Sequence, residues 1–232
     1  MARAGRPPRD PARQLDRAHR ILDAVAELVL RWGYDKTTID DIAQRAGVAK
    51  GTIYLHWKTR DDIFAALLRR ERVLMMTEVR DRAPGTLSEL FGEFARALLR
   101  RPLLQAVLTG DSQVLGKLTR RKRTSTRWTL TEAAFDPYVA ELVKCGAIRE
   151  DRGEHLVTVG SIVYGFLFLR ESLPDDIRPS DDRVAELVAD TIERTLSTGR
   201  PTDAEAVARA TLEFLDASVE VAQHKLDASL GL

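Results

Sequence analysis

An all-α chain, built from a small N-terminal three-helix module joined to a larger helical one, is the fold this sequence predicts, and three observations predict it. The composition is 44% hydrophobic and 31% charged with only 6% aromatic residues. Its many Ala, Leu, Arg and Glu are those of a globular protein that leans towards helix. Apolar residues recur at helical spacing along the 232 residues, with no strand-like alternation and no internal repeat. Charge is divided unevenly: residues 1–60 hold twelve Lys/Arg against seven Asp/Glu, so the remaining 172 carry −4 within a chain total of +1. A basic excess confined to one end suits a chain that brings that end alone to a polyanion.

Residues 1–13 combine Pro7, Pro8 and Pro11 with Arg3, Arg6, Arg9 and Arg13, which predicts a flexible basic arm. From Arg17 the pattern changes, with Ile21, Val25, Leu28 and Trp32 at helical spacing and Gly33 to stop the run. A short second helix is expected after Thr37 and Thr38, whose hydroxyls suit an N-terminus, and it ends at Ala46 and Gly47. A third runs over about 49–57. Thr59, Arg60, Asp61 and Asp62 then supply a cap and an acidic first turn for a connecting helix over 61–82, ended by Pro84 and Gly85. Further helices are expected near 87–100, 102–117, 121–145, 153–171, 182–197 and 203–228, with a loop over 173–182.

The run over 38–58 carries the chemistry. Ala43 is small enough for two short helices to cross closely, and Gly47 supplies the left-handed backbone that ends the first of them. Ile42, Val48 and Ile53 fill the angle between the pair, which leaves the outer face of the second helix free to enter a major groove. This is a helix-turn-helix pattern, and it predicts a DNA-binding module over 14–60.

The stretch Gly47-Val48-Ala49-Lys50-Gly51-Thr52-Ile53-Tyr54-Leu55-His56-Trp57-Lys58 resembles the TetR family of transcriptional regulators, and the likeness covers about residues 17–70. The resemblance implies that Lys50, Gly51 and Thr52 face base edges, with Leu55 against a thymine methyl group. It implies phosphate contacts from Thr38, Tyr54, His56, Lys58 and Arg60. Two positions depart from the family's commonest pattern: Ala49 stands where a serine often begins the recognition helix, and Trp57 where phenylalanine is usual. Ala49 gives up a hydroxyl that caps the helix or touches phosphate.

For residues 83–232 the resemblance implies a domain that forms a homodimer and encloses a pocket for a small, largely apolar effector. Helix 153–171 is apolar almost all round, with Gly160, Ser161 and Gly165 permitting close approach, so it is the first candidate for the dimer contact. The last helix is the second. Candidate pocket walls are Phe94, Trp128, Phe135, Tyr138, Tyr164 and Phe168, with Phe91, Leu98 and Val163 beside them. The basic run Arg120-Arg121-Lys122-Arg123 reads as a solvated surface or an anion-attracting patch.

The expected function is therefore a sequence-specific repressor released from a palindromic double-stranded operator by its effector. The rival is a helical binding protein whose basic end serves a protein partner or any duplex. Enzyme patterns fail: no glycine follows two residues after Ser112, and the segment from Gly110 to Lys117 has one residue too many for a phosphate loop, with Leu118 where a magnesium-holding hydroxyl belongs. Four scattered histidines and the single Cys145 predict no metal, cofactor or disulfide. Residues 1–13 lack an apolar core and the apolar run over 162–169 is short, so neither a signal peptide nor a membrane span is expected, and the cytoplasm is the expected location.

Overall fold

A computed structural model describes residues 11–116, 132–150 and 154–231. Its elements are α1 (Pro11–Trp32), α2 (Ile39–Ala46), α3 (Lys50–Ile53), α4 (Arg60–Asp81), α5 (Leu87–Leu99), α6 (Pro102–Thr109), α7 (Ser112–Leu115), α8 (Glu132–Lys144), α9 (His155–Ser172), α10 (Asp181–Leu196) and α11 (Ala204–Leu230). The fold is all-helical. Among the described residues the sole β pairing is an isolated bridge between Ile148 and Ser197. No described helix is long and apolar enough to cross a membrane.

Three boundaries differ from expectation. Residues 11–13, expected in the arm, begin α1, because a proline is tolerated at a helix's first position, where the N–H has no intrahelical partner. The expected single helix over 102–117 is two: Gly110 takes φ 71°, ends α6, and Asp111 caps α7 through the Gln113 N–H. The third helix spans Lys50–Ile53 only, and its continuation to Trp57 tightens into turns in which Leu55 N bonds Thr52 O and His56 N bonds Ile53 O. The arm over 1–10, the basic run over 120–123 and Trp128 lie outside the described residues.

Two buried clusters hold the chain together. The first joins Ile21, Leu22 and Val25 of α1 to Ile42 of α2, Ile53 of α3 and Ile63, Phe64 and Leu67 of α4. It also takes in Leu103 and Ala106 of α6, Leu115 of α7, and Leu226 and Leu230 of α11. The second gathers Phe91, Phe94, Phe135, Tyr138, Val159, Val163, Val188 and Phe214. Two long helices belong to both. α4 gives Ile63 and Phe64 to the first cluster and Met75, Met76 and Val79 to the second. α11 runs the opposite way, giving Val207, Phe214 and Leu215 to the second and Leu226 and Leu230 to the first. At 1.5 Å per residue, helices of 22 and 27 residues reach about 33 and 40 Å, enough to bridge two cores. The last helix thus packs one side inside its own chain, against α4 and α8, and leaves residues such as Leu212 exposed on the other.

Candidate DNA-reading surface

The surface is assembled from its caps outward. Thr38 closes the N-terminus of α2: its hydroxyl accepts from Asp41 N–H at 3.2 Å, while its own N–H and hydroxyl donate to Asp41 Oδ2 at 3.0 and 2.6 Å. These hydrogen bonds hold the Asp41 carboxyl below its ordinary range. Gly47 ends α2 at φ 65°, and the next N–H, that of Val48, reaches Ala43 O at 3.0 Å. Ala49 opens α3 with no side-chain cap, as its missing hydroxyl leads one to expect. Thr59 and Asp62 repeat the reciprocal cap at the start of α4.

α3 has two faces. Ile53 is fully buried and Trp57, at the end of the following turn, nearly so. Lys50, Gly51, Tyr54, Leu55 and Lys58 are exposed, Tyr54 by 49% and Leu55 by 55%, while Thr52 and His56 are half-buried. Nothing in the chain lies within 4 Å of where a Cβ on Gly51 would stand. The fold therefore has room for a side chain at a helical position where glycine costs about 1 kcal/mol relative to alanine. Its lack of one answers to nothing inside the molecule.

Of the residues expected to touch DNA, Lys50, Thr38, Arg60 and His56 are engaged within the chain, His56 with its ring 5.3 Å from that of Trp57. Lys50 pairs with Asp40 Oδ2 at 2.9 Å, which raises its pKa, and both side chains stay largely exposed. The Thr38 hydroxyl serves the α2 cap. Arg60 lies over the Tyr34 ring, its guanidinium carbon 4.1 Å from the centroid, and donates to Thr37 O at 2.7 Å. Arg60 thus ties the start of α4 to the α1–α2 turn. Tyr34 is the hub there: its hydroxyl bonds Asp61, its ring meets Phe64 edge-on, and burial together with Asp61 raises its pKa. α7 docks on the same turn, Tyr34 N donating to Val114 O at 2.8 Å. A Cβ on Gly33, at φ 81°, would run into the Gln113 carbonyl. Sequence reasoning missed Asp40, Tyr34 and the α7 contact. No spacing rule links positions so far apart in the chain.

The expected pocket walls divide. Phe94, Phe135 and Tyr138 are buried in an aromatic cluster with Phe91 and Phe214, where the Tyr138 and Phe214 rings stack at 4.7 Å. The Tyr138 hydroxyl meets Thr211 Oγ1 at 3.0 Å, and burial pushes its pKa up. Tyr164 and Phe168 stack on each other at 5.5 Å but lie 39% and 46% exposed on the outer face of α9. Among the described residues they line no interior, because Val159, Val163 and Leu167 form the inward stripe of that helix and residues 164 and 168 lie on its exposed side. A groove of 630 Å³ lies between α8 and α11, over Pro137, Tyr138, Ala210, Phe214, Arg209 and Glu213.

An exposed, glycine-bearing helix set on a buried Ile53–Trp57 base, held by capped neighbours and flanked by lysines, defines a helix-turn-helix DNA-binding transcriptional regulator. Residues 21–67 match the model of the family described as bacterial regulatory proteins, tetR family. The chain is 26% identical over 180 residues, 74% of its length and 90% of the relative's, to an uncharacterized HTH-type transcriptional regulator of Mycobacterium bovis. It is 33% identical over 102 residues to the HTH-type transcriptional repressor KstR of Mycolicibacterium smegmatis, spanning 41% of this chain and 50% of that one. Its fold is similar to that of NalD, a secondary repressor of the MexAB-OprM multidrug efflux pump in Pseudomonas aeruginosa, with a TM-score of 0.60 at 19% identity over 81% of this chain and 100% of the other. The match to the tetR family thus covers residues 21–67, and beyond them the chain is similar in sequence to an HTH-type regulator and in fold to NalD.

Proposed function

We propose that this regulator is a homodimeric repressor that reads an inverted-repeat operator with α3 and is released from it by a small, largely apolar effector. The observation that carries operator reading is the outer face of α3, where Gly51 has no structural reason to lack a side chain and Tyr54 and Leu55 stand in solvent beside Lys50 and Lys58. Large apolar surface next to cations, with a bare backbone between them, fits a groove floor flanked by phosphates. Lys50, Gly51, Thr52 and Leu55 meet base edges, with Lys50 exchanging Asp40 for the duplex. Tyr54, His56 and Lys58 hold phosphates, and Thr38 and Arg60 shape the surface from behind.

The DNA-reading unit is residues 14–60, residues 61–82 connect it, and residues 83–232 bind effector and dimerise. Support for the dimer is the bare face of α9, where Val157, Tyr164, Phe168 and Leu169 are 63%, 39%, 46% and 57% exposed beside Ser161 and Gly165. Such a stripe is what an isologous helical seam buries. The groove over Tyr138 and Phe214 is the effector site this surface favours, its lining divided evenly between apolar side chains and the polar groups of Glu141, Arg209 and Glu213.

Selection of bound duplexes from genomic DNA, followed by footprinting and mobility shift over a range of salt, tests the reading. A protected inverted repeat, lost with Lys50→Ala or Tyr54→Ala in folded protein, supports it, whereas equal affinity for every duplex refutes it. Titrating a broad panel of apolar compounds against the operator complex tests the effector, and a panel that shifts neither DNA affinity nor melting temperature removes that part.

A further inference from the structure

We propose that Trp57 is a positioning residue for DNA reading, acting through a hydrogen bond to the last turn of α11, so that the helix lining the effector groove also holds the helix that reads DNA. The Trp57 indole Nε1 donates to Ser229 O at 2.9 Å, across 172 residues of chain. That carbonyl is among the last four of α11, which have no intrahelical partner, and a buried indole N–H needs an acceptor. Each group satisfies the other. Leu226 and Leu230 pack into the same cluster as Trp57 and Ile53, so the hydrogen bond sits within an apolar contact.

The other end of the bond is the recognition helix. Trp57 N donates to Ile53 O at 3.0 Å and Tyr54 N to Lys50 O at 3.4 Å, so the backbone that carries the indole is continuous in hydrogen bonds with α3. A shift of the indole therefore moves the exposed Tyr54 and Leu55. α11 is one uninterrupted helix of 27 residues whose opposite half places Phe214 in the second core and at the groove. Arg80 of α4 pairs with Asp216 midway along it. Movement at the groove thus reaches α3 along α11 as well as along α4. Phenylalanine at position 57 fills the same apolar site but has no N–H, so only tryptophan makes the link.

The inference rests on operator reading, and the test separates the two. In the full chain, Trp57→Phe keeps the apolar packing and removes one hydrogen bond. Operator affinity falls about fivefold, as loss of one such bond predicts, and amide exchange over residues 50–56 accelerates. In a chain ending at Asp227, which lacks Ser229 and Leu230, Trp57→Phe changes neither quantity further. Equal fold-changes in both backgrounds overturn the proposal, as do unchanged affinity and exchange in the full-length variant. If the shortened chain does not fold, exchange in full-length Trp57→Phe decides alone: faster exchange confined to residues 50–56 and 226–230 supports the link, and uniform or absent change refutes it. If the unsubstituted chain binds no selected duplex, the repressor reading fails while the exchange measurement still decides for or against the link.

Discussion

Two faces of this molecule stand open in the single chain, the outer face of α3 and the outer face of α9, and both expose large side chains. On α3 they are Tyr54 and Leu55; on α9 they are Val157, Tyr164, Phe168 and Leu169. The difference lies in their neighbours. Around α3 stand Lys50, Lys58 and Arg45, the first and last paired with the exposed carboxylates of Asp40 and Glu27, and the helix is a single turn set on buried Ile53. The α9 face has no charged residue between Val157 and Leu169, only Ser, Gly, Thr and apolar side chains. Exposed apolar area says that something covers a face, and the charge beside it says what. Cations point to a polyanion, and their absence to another apolar helix.

The largest expected effect tests the α9 side. Phe168→Glu places a charge in the proposed seam, so sedimentation should show a monomer and operator affinity should drop about 100-fold or more, because a two-site contact becomes a one-site contact. An intact dimer would place the seam elsewhere. Next comes the α3 face: Lys50→Ala or Tyr54→Ala should weaken operator binding about 10- to 100-fold, in keeping with about 1–3 kcal/mol for a good contact in the groove. Thermal unfolding should stay unchanged, because both side chains stand outside the core. Asp40→Asn should act oppositely on non-cognate duplexes, tightening them a few-fold by freeing Lys50 from its pair, as titration in gel shift would show.

Smaller effects probe the supports behind the reading face. Thr59→Ala removes the cap of α4 and should cost about 1 kcal/mol in denaturant unfolding, with operator affinity nearly preserved in the folded fraction. The smallest effect is one of pH. The Asp41 carboxyl is held below its ordinary 3.8 by Thr38, so its contribution to α2 is complete above that value and is lost as pH falls through the lower folded one. Asp41→Asn should flatten the acid limb of the unfolding curve and leave neutral pH little changed. An equally steep limb in the variant would mean that the cap does not report on acid stability.

Much of the N-terminal half was legible because its logic is local. A threonine three residues before an aspartate, and a glycine after eight helical residues, place caps and stops without reference to the rest of the chain, and Thr38, Gly47 and Thr59 do in the structure what their types imply. Ala49 was readable for the same reason. In the C-terminal half, aromatic residues at helical spacing were visible, yet which face each occupies was not. Phe135 of α8 and Phe168 of α9 are the same residue type, each set among apolar neighbours in sequence, but Phe135 is buried and Phe168 is 46% exposed.

By itself the sequence determined the helical class and the helix-turn-helix with its capping residues, since each follows from interactions within a few positions of one another. Only the tertiary structure decided that Lys50 is held by Asp40, that Arg60 lies on Tyr34, and that the last helix turns inward to place a carbonyl on Trp57. In the sequence Trp57 stood out only as a larger residue where phenylalanine is usual, and the acceptor of its N–H lies 172 residues away. Backbone carbonyls look alike in every residue, so only the folded chain could show which one the indole meets.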